Sequence, residues 1–396
     1  MSATSKNIMH ILYFLGSDTT SPSETFIRKS IADLRLAGMS VTVVSGRRSG
    51  RAQNVIYSGF SSTTWSLKLW KLFAFLSQTK VNEAYQKWGF SIRQRTASRR
   101  LNRFTRIEAD FIWFDYLNYA CYAEQALHKF NVPFAVAVHG FDASQALASK
   151  PLQCAARSLD ARFFVSPSNH LKRRLQLIGV ERPIHVVPYD SAQAAETIKS
   201  IEYDFIALGR LTEKKCPQAT LMAFEKVLDG HPDARLIWVG FGELEEEMKQ
   251  RFSHLVDSGN LIFTGAVDHE RALGLLQASK IFVQHSVTSG LGDQEGLPNS
   301  IVEAMRHGKP VISTIHSGIP ELITHGKNGF LAQEHDFESF AEQMTLLLED
   351  GKLRKEMGVL ARESVAERIP LGSRSSRINS LILNGIADFK LGSFGL

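Results

Sequence analysis

Two carboxylates, Glu295 and Glu303, stand eight residues apart in the run Gln294-Glu295-Gly296-Leu297-Pro298-Asn299-Ser300-Ile301-Val302-Glu303. Gly296 permits close backbone approach, and Pro298 stiffens the entry to the next element. Ser300 with Glu303 matches the Ser-x-x-Glu capping box that opens a helix, and Gly308 suits that helix's C-terminal cap. A helix N-terminus offers free N–H groups and a partial positive charge, so an anion such as a diphosphate is favoured there. The pattern puts Glu295 on the loop and Glu303 in the first turn, where both can face one ligand. The plainer alternatives are that Glu303 only completes the capping box and that Glu295 is a solvated loop carboxylate.

Two further clusters come directly after apolar runs. Gly209-Arg210-Leu211-Thr212-Glu213-Lys214-Lys215 supplies cations at the start of the second half, and the alternative is a surface basic cluster. His139-Gly140-Phe141-Asp142 supplies an imidazole in a turn, able to hydrogen-bond a sugar or phosphate. A lone His is often structural, and Asp142 could equally cap the next helix. No Asp-x-Asp gathers carboxylates for a divalent metal, so no metal is expected and cationic side chains must offset developing negative charge.

The elements positioning these residues read as short β-rich runs alternating with helical patterns, the signature of parallel sheets covered by helices on both faces. In the first half the expected strands are Ile8–Leu15, Val41–Ser45, Phe111–Phe114, Phe134–Val138, Arg162–Ser166 and Ile184–Val187. In the second they are Asp204–Leu208, Arg235–Val239, Leu261–Thr264, Ile281–Gln284 and Pro310–Thr314. The pattern predicts an α/β chain of two doubly wound Rossmann-like domains, residues 1–190 and 204–373, joined by a polar, Ala-rich linker over 191–203. Residues 374–396 read as a last helix and tail. In such sheets ligands bind beyond the carboxyl ends of the strands, which places the expected site in a cleft between the domains.

With 396 residues, 44% of them hydrophobic, the chain has apolar material for two cores. Cys121, Cys154 and Cys216 lie far apart, which argues against a disulfide scaffold and a structural zinc site and favours a reducing cytoplasm. No apolar run approaches the ~20 residues needed to cross a bilayer, and Met1 to His10 lacks a signal-like apolar core. The net charge of +6 is split: residues 1–190 carry 25 Lys and Arg against 12 Asp and Glu, and residues 191–396 carry 21 against 28. A basic first half suits an anionic partner. Its density peaks at Lys87, Arg93, Arg95, Arg99, Arg100, Arg103 and Arg106, just after Trp65, Trp70, Phe73 and Phe75, so the stretch 65–106 reads either as a patch for an anionic membrane surface or as a solvated helix with core aromatics.

The frame Glu295-Gly-Leu-Pro-Asn…Glu303-Ala-Met, with Pro310-Val-Ile-Ser-Thr, Gly318-Ile-Pro-Glu321, Gly209-Arg-Leu…Lys215, Val239-Gly-Phe-Gly242 and His139-Gly-Phe-Asp142, resembles retaining glycosyltransferase family 4, which has the GT-B fold. Ser23-Glu24-Thr25-Phe26-Ile27 and the expanded loop Val287–Asp293 resemble its bacterial exopolysaccharide subgroup, including colanic acid and amylovoran transferases. The resemblance implies transfer of a sugar from a UDP- or GDP-sugar to a saccharide acceptor, without a cofactor. Arg210 and Lys215 would hold the donor diphosphate, Glu303 the ribose hydroxyls and Glu295 the donor sugar, with His139 assisting. Gly16, Gly296, Leu297, Pro298, Asn299 and Ser300 would line the donor site, and Glu24, Thr25 and Asp142 the acceptor side. The family's usual Gly after the Lys is Cys216 here, which leaves Lys214 a rival to Lys215. An acceptor on a polyprenyl diphosphate carrier would suit the basic half, and the enzyme would sit in the cytoplasm or on the inner face of the membrane. The last helix of such enzymes often crosses back to the first domain.

Rival readings are a nucleotide-sugar epimerase, a phosphorylase or a basic nucleic-acid-binding protein. No nucleic-acid module is present, so no nucleic acid is expected as partner. A dinucleotide fingerprint begins at Gly240-Phe-Gly242 but has Glu245 where the third glycine belongs.

Overall fold

Runs such as Phe111-Ile-Trp-Phe114 and Leu236-Ile-Trp-Val239 have no polar residue to turn toward water, and every residue in both is buried. That is what parallel strands covered on both faces require. The computed structural model describes residues 8–15, 25–45, 55–57, 80–190 and 200–393. They contain β1 (His10–Phe14), β2 (Ser40–Ser45), β3 (Val55–Tyr57), β4 (Phe111–Phe114), β5 (Phe134–Ala137), β6 (Phe163–Ser166) and β7 (Ile184–Val186), then β8 (Tyr203–Leu208), β9 (Leu236–Val239), β10 (Leu261–Phe263), β11 (Ser279–Val283), β12 (Val311–Thr314) and β13 (Phe330–Ala332). The expected strands are present with ends shifted by one or two residues. The three-residue strands β3 and β13 were not among them.

The strands form two all-parallel sheets, ordered β3-β2-β1-β4-β5-β6-β7 and β10-β9-β8-β11-β12-β13. Each order reverses direction once, between β1 and β4 and between β8 and β11. Residues beyond the carboxyl ends at such a reversal have no crossover helix above them, which leaves room for a ligand.

The chain divides into two compact units. The first runs to Val187, without Ser168–His170, and takes in the chain from Ser375 onward; the second holds Ser168–His170 and Pro188–Arg374. Residues 191–199, most of the expected linker, lie outside the described residues. In the first unit alternate strand residues feed opposite faces. Leu12, Phe14, Ile112, Phe114 and Val136 enter one core layer, and Ile11, Tyr13, Phe111, Trp113 and Ala135 enter the other. The final helix, Ser373–Ser393, adds Ile378, Ile382 and Ile386, one stripe at i, i+4, i+8, to the second layer. The second unit repeats the scheme, with Phe205, Ala207, Leu236 and Trp238 on one side and Ile206, Ile237 and Val239 on the other. Among the described residues no helix is long and apolar enough to cross a membrane.

Candidate active site

Beyond β8 the chain turns at Gly209, whose φ of +153° suits a residue without a side chain. The turn beyond β9 packs on it backbone to backbone. A Cβ on Gly240 would fall 2.2 Å from the Gly209 carbonyl oxygen, and one on Gly242 2.2 Å from that of Leu211. The Leu211 N–H donates to the Phe241 carbonyl at 3.1 Å, and the Leu244 N–H to the Leu211 carbonyl at 3.1 Å. This junction leaves Arg210 exposed and delivers Lys214 and Lys215 from the short turn Glu213–Lys215, their side chains almost buried.

The strand next to β8 ends before Gln284. Its carboxamide oxygen accepts from the Lys215 ammonium at 2.9 Å and from the Ser300 hydroxyl at 2.9 Å, while its Nε2 donates to the Ser286 hydroxyl at 2.8 Å. One amide thus ties the lysine to the first turn of the helix Asn299–Arg306. The expected capping box is not formed. That helix is capped at Pro298 without a side-chain bond, and Ser300 lies inside the first turn with its hydroxyl committed to Gln284. Pro298 fixes an extended backbone two residues earlier (φ −64°, ψ 120°), so the helix begins before Ser300 can cap it. Glu303 is left with a carboxylate spent on no cap. Burial pushes its pKa up to about 7, and the His269 ring lies 3.8 Å away.

Lys215 Nζ stands 3.3 Å from Glu295 Oε1, and beside this pair Lys214 Nζ stands 3.1 Å from Asp293 Oδ2. Burial alone would raise the Glu295 carboxyl, but the Lys215 and Lys214 charges bring it down to about 2. Burial pushes the Lys215 ammonium below its ordinary value; Glu295 opposes this, and the neighbouring Lys214 and Arg210 charges add to it. Burial likewise raises Asp293 against the pull of Lys214. Arg210 forms no ion pair among the described residues.

Gly296, Leu297 and Pro298 are buried and Asn299 half-buried; Leu297 packs in the core with Ile301 and Val302. Gly318 crosses close above, and a Cβ there would meet the Gly296 carbonyl oxygen at 2.5 Å. Asp293, Gln284, His316 and Glu334 also build the site and were not expected. Gln284 is the polar residue that closes an otherwise apolar strand run, a signal visible in the chain. Glu334 has no local signal.

The first unit holds the remaining expected residues. His139 Nε2 lies 2.6 Å from the Asp115 carbonyl oxygen, so that nitrogen carries the hydrogen and donates it to the backbone. The His139 ring sits 4.6 Å from that of Tyr116. Asp142 corrects the expectation of an acceptor-facing carboxylate. It is fully buried, with Oδ1 accepting the His139 N–H and Oδ2 the Leu117 N–H, both at 2.5 Å. Asp142 therefore secures the start of the turn Gly140–Ala143, and burial raises its pKa to about 7. Gly16 and Glu24 lie outside the described residues, and Thr25 opens the first helix.

Among the described residues no three His, Cys, Asp or Glu side chains converge as a metal-ligand set. What does converge in the second unit is an exposed arginine, two lysines balanced by two carboxylates, and the start of a helix. Such a set can receive an anion and hold a carboxylate beside it.

Residues 189–364 match the family described as Glycosyl transferases group 1. Among curated proteins, the chain is similar to the putative colanic acid biosynthesis glycosyltransferase WcaL of Salmonella typhimurium, with 29% identity over 180 residues, 45% of this chain and 44% of that protein. It is also similar to the amylovoran biosynthesis glycosyltransferase AmsK of Erwinia amylovora, with 34% identity over 164 residues, 41% and 40% of the two chains. The chain thus spans less than half the length of these relatives. Among solved structures, sucrose-phosphate synthase from Thermosynechococcus elongatus superposes with a TM-score of 0.73 at 14% identity, over 96% of this chain and 100% of that one. Anabaena HepE in complex with UDP-glucose gives 0.71 at 17%, over 96% and 100%. The fold is GT-B.

Proposed function

Residues 189–364 are a glycosyl transferases group 1 domain, and from that premise we propose that the chain is a retaining glycosyltransferase. It moves a sugar from a UDP- or GDP-sugar to a saccharide acceptor in exopolysaccharide or other cell-surface glycan synthesis. The observation that carries this reading is the placement of Lys215 between Glu295 and Gln284, with Gln284 also holding Ser300 at the helix start.

In the proposed reaction the bond from the anomeric carbon to the donor phosphate breaks, a bond to the acceptor hydroxyl oxygen forms, and the hydroxyl proton leaves with a phosphate oxygen. Arg210 and Lys215 stabilise the diphosphate as its charge grows, and the dipole of the helix at Asn299 adds to them without a metal. Glu303 accepts hydrogen bonds from the ribose hydroxyls. Glu295 steadies the donor sugar's hydroxyls or the positive charge growing at its anomeric carbon. The group that attacks is the acceptor itself or a protein carboxylate, and no residue is assigned that role. His139 assists from the start of the turn Gly140–Ala143, its Nε2 held on the Asp115 carbonyl oxygen.

The acceptor side falls to the first unit. On the helix Lys80–Leu101, Trp88 (61% exposed) and Ile92 (42% exposed) continue into exposed Arg95 and Arg99, spaced i, i+4, i+7, i+11 on one stripe. Such a stripe suits the headgroup layer of an anionic leaflet, each cation there contributing about 1 kcal/mol. It supports an acceptor on a polyprenyl diphosphate carrier and an enzyme at the cytoplasmic face of the membrane. The upstream aromatics Trp65, Trp70, Phe73 and Phe75 lie outside the described residues.

The test is a panel of nucleotide sugars assayed for nucleotide release and for transfer to lipid-linked saccharide. Release of UDP or GDP from at least one donor is expected. No release and no thermal shift with any donor would contradict the reading. Flotation with anionic liposomes at low salt tests the membrane stripe, and loss of binding in Trp88→Ala is expected.

A further inference from the structure

In the proposed reaction Glu295 faces the donor sugar from a loop, and a loop carboxylate keeps its aim only if its backbone is fixed from outside. Two side chains on other strand ends do this. His316 Nε2 accepts the backbone N–H of Glu295 at 3.1 Å, and a ring nitrogen that accepts carries no hydrogen. The ring hydrogen therefore sits on Nδ1, 2.7 Å from Glu334 Oε1, and the other carboxylate oxygen of Glu334 accepts the Thr288 N–H at 2.8 Å. The Ser317 hydroxyl donates to the Glu295 carbonyl, so the glutamate's N–H and C=O are both held. Gln294 closes the loop on itself, donating to the Thr288 hydroxyl at 3.0 Å. His316 is almost fully buried, whereas Glu334 keeps an exposed edge.

Backbone conformation marks the same residues. Among the described residues, four non-glycine positions have φ in the left-handed region: Asn131, Cys216 (39°), Ser317 (49°) and His335 (67°). Three of them directly follow Lys215, His316 and Glu334. Each such residue costs on the order of 1 kcal/mol and persists only where its surroundings over-determine it. His335 is held by its N–H, which donates to the buried His285 Nε2 at 2.9 Å.

We propose that His316 and Glu334 are a positioning pair that sets the Glu295 carboxylate against the donor sugar, with Glu334 selecting the one histidine tautomer that can hold the loop. This rests on the donor-site reading above. The opposite tautomer would point an N–H at the Glu295 N–H, donor against donor, and release the loop.

The test compares His316→Gln and Glu334→Gln with the wild-type chain. Gln at 316 can still accept from Glu295 through its amide oxygen, but its NH2 sits on the same carbon as that oxygen rather than across a ring, so it cannot hold both partners in the histidine's geometry, and Gln at 334 removes one of two acceptors. Each should lower kcat by roughly 10- to 100-fold, as misplacement of a reacting group by about 1 Å does. UDP or GDP affinity by calorimetry and the thermal midpoint should stay near wild type, and His316→Ala should fall below His316→Gln in kcat. A purely structural role would instead lower affinity and midpoint together. Unchanged kcat in both Gln variants would overturn the pair. A wild-type chain that turns over no nucleotide sugar overturns the donor-site reading and, with it, the catalytic consequence of the pair. Nitrogen NMR of the histidines still judges the geometry in that case: His316 protonated at Nδ1, changing tautomer in Glu334→Gln, is expected, and Nε2 protonation in the wild type contradicts it.

Discussion

The two points where strand order reverses share one topology and differ in what fills them. Between β8 and β11 the second unit gathers Arg210, Lys214, Lys215, Asp293 and Glu295, with ion pairs at 3.1 and 3.3 Å and one arginine left exposed. At the carboxyl ends of β1, β4 and β5 the described residues of the first unit gather Tyr13, Asp115, His139 and Asp142. There the Tyr13 hydroxyl donates to Asp115 at 2.9 Å, and Asp142 spends both oxygens on backbone N–H groups. A sheet reversal supplies space, and the side chains around it set what that space can hold.

The comparison breaks most sharply at Lys215. Lys215→Ala should leave the fold intact and lower nucleotide-sugar turnover by roughly 100-fold or more, as loss of a preorganised charge stabiliser does. Near-normal turnover in a folded variant would remove Lys215 from the reaction. In the first unit the matching change should act on stability instead. Asp142→Ala orphans the buried Leu117 N–H and the half-buried His139 N–H and should cost on the order of 3 kcal/mol in chemical denaturation, an effect larger than its effect on nucleotide affinity. A variant as stable as wild type would undo the turn-closing role.

Each region also holds one carboxyl that burial raises to about 7, Glu303 and Asp142. The native state keeps these protons after the unfolded chain has lost them, so stability falls as pH rises from about 4 to about 7. Glu303→Gln and Asp142→Asn should each flatten that fall in a denaturation series. The two then part company. Nucleotide affinity should strengthen as Glu303 ionises, and Glu303→Gln should weaken affinity and remove that dependence, whereas Asp142→Asn should not. Equal affinity in Glu303→Gln would return Glu303 to a structural role. The smallest effect is expected at Cys216, at φ 39° where Gly would be unstrained. Relief of left-handed strain and the added flexibility of Gly nearly cancel, so Cys216→Gly should shift stability by less than about 1 kcal/mol. A large loss would show that the thiol packs rather than merely tolerates its place.

The legible parts were those encoded locally. Unbroken apolar runs such as Phe111–Phe114 disclosed the strands, while Glu295 was singled out by its spacing from Glu303 and Lys215 by the family resemblance, and the structure places these two 3.3 Å apart. Ser300-x-x-Glu303 misled because a capping pattern is local, whereas Gln284 on a neighbouring strand takes the Ser300 hydroxyl. Gln284, His316 and Glu334 escaped notice as a set because they come after β11, β12 and β13. Sheet order makes these strands neighbours, and nothing in the chain's linear pattern does.

The most direct test of the central claim is calorimetric titration of the full chain with nucleoside diphosphate and, in parallel, the corresponding monophosphate. The wild-type chain should gain affinity from the second phosphate, and Arg210→Ala and Lys215→Ala should each lose most of that gain. Equal affinity for the two nucleotides, or an undiminished gain in both variants, would contradict it.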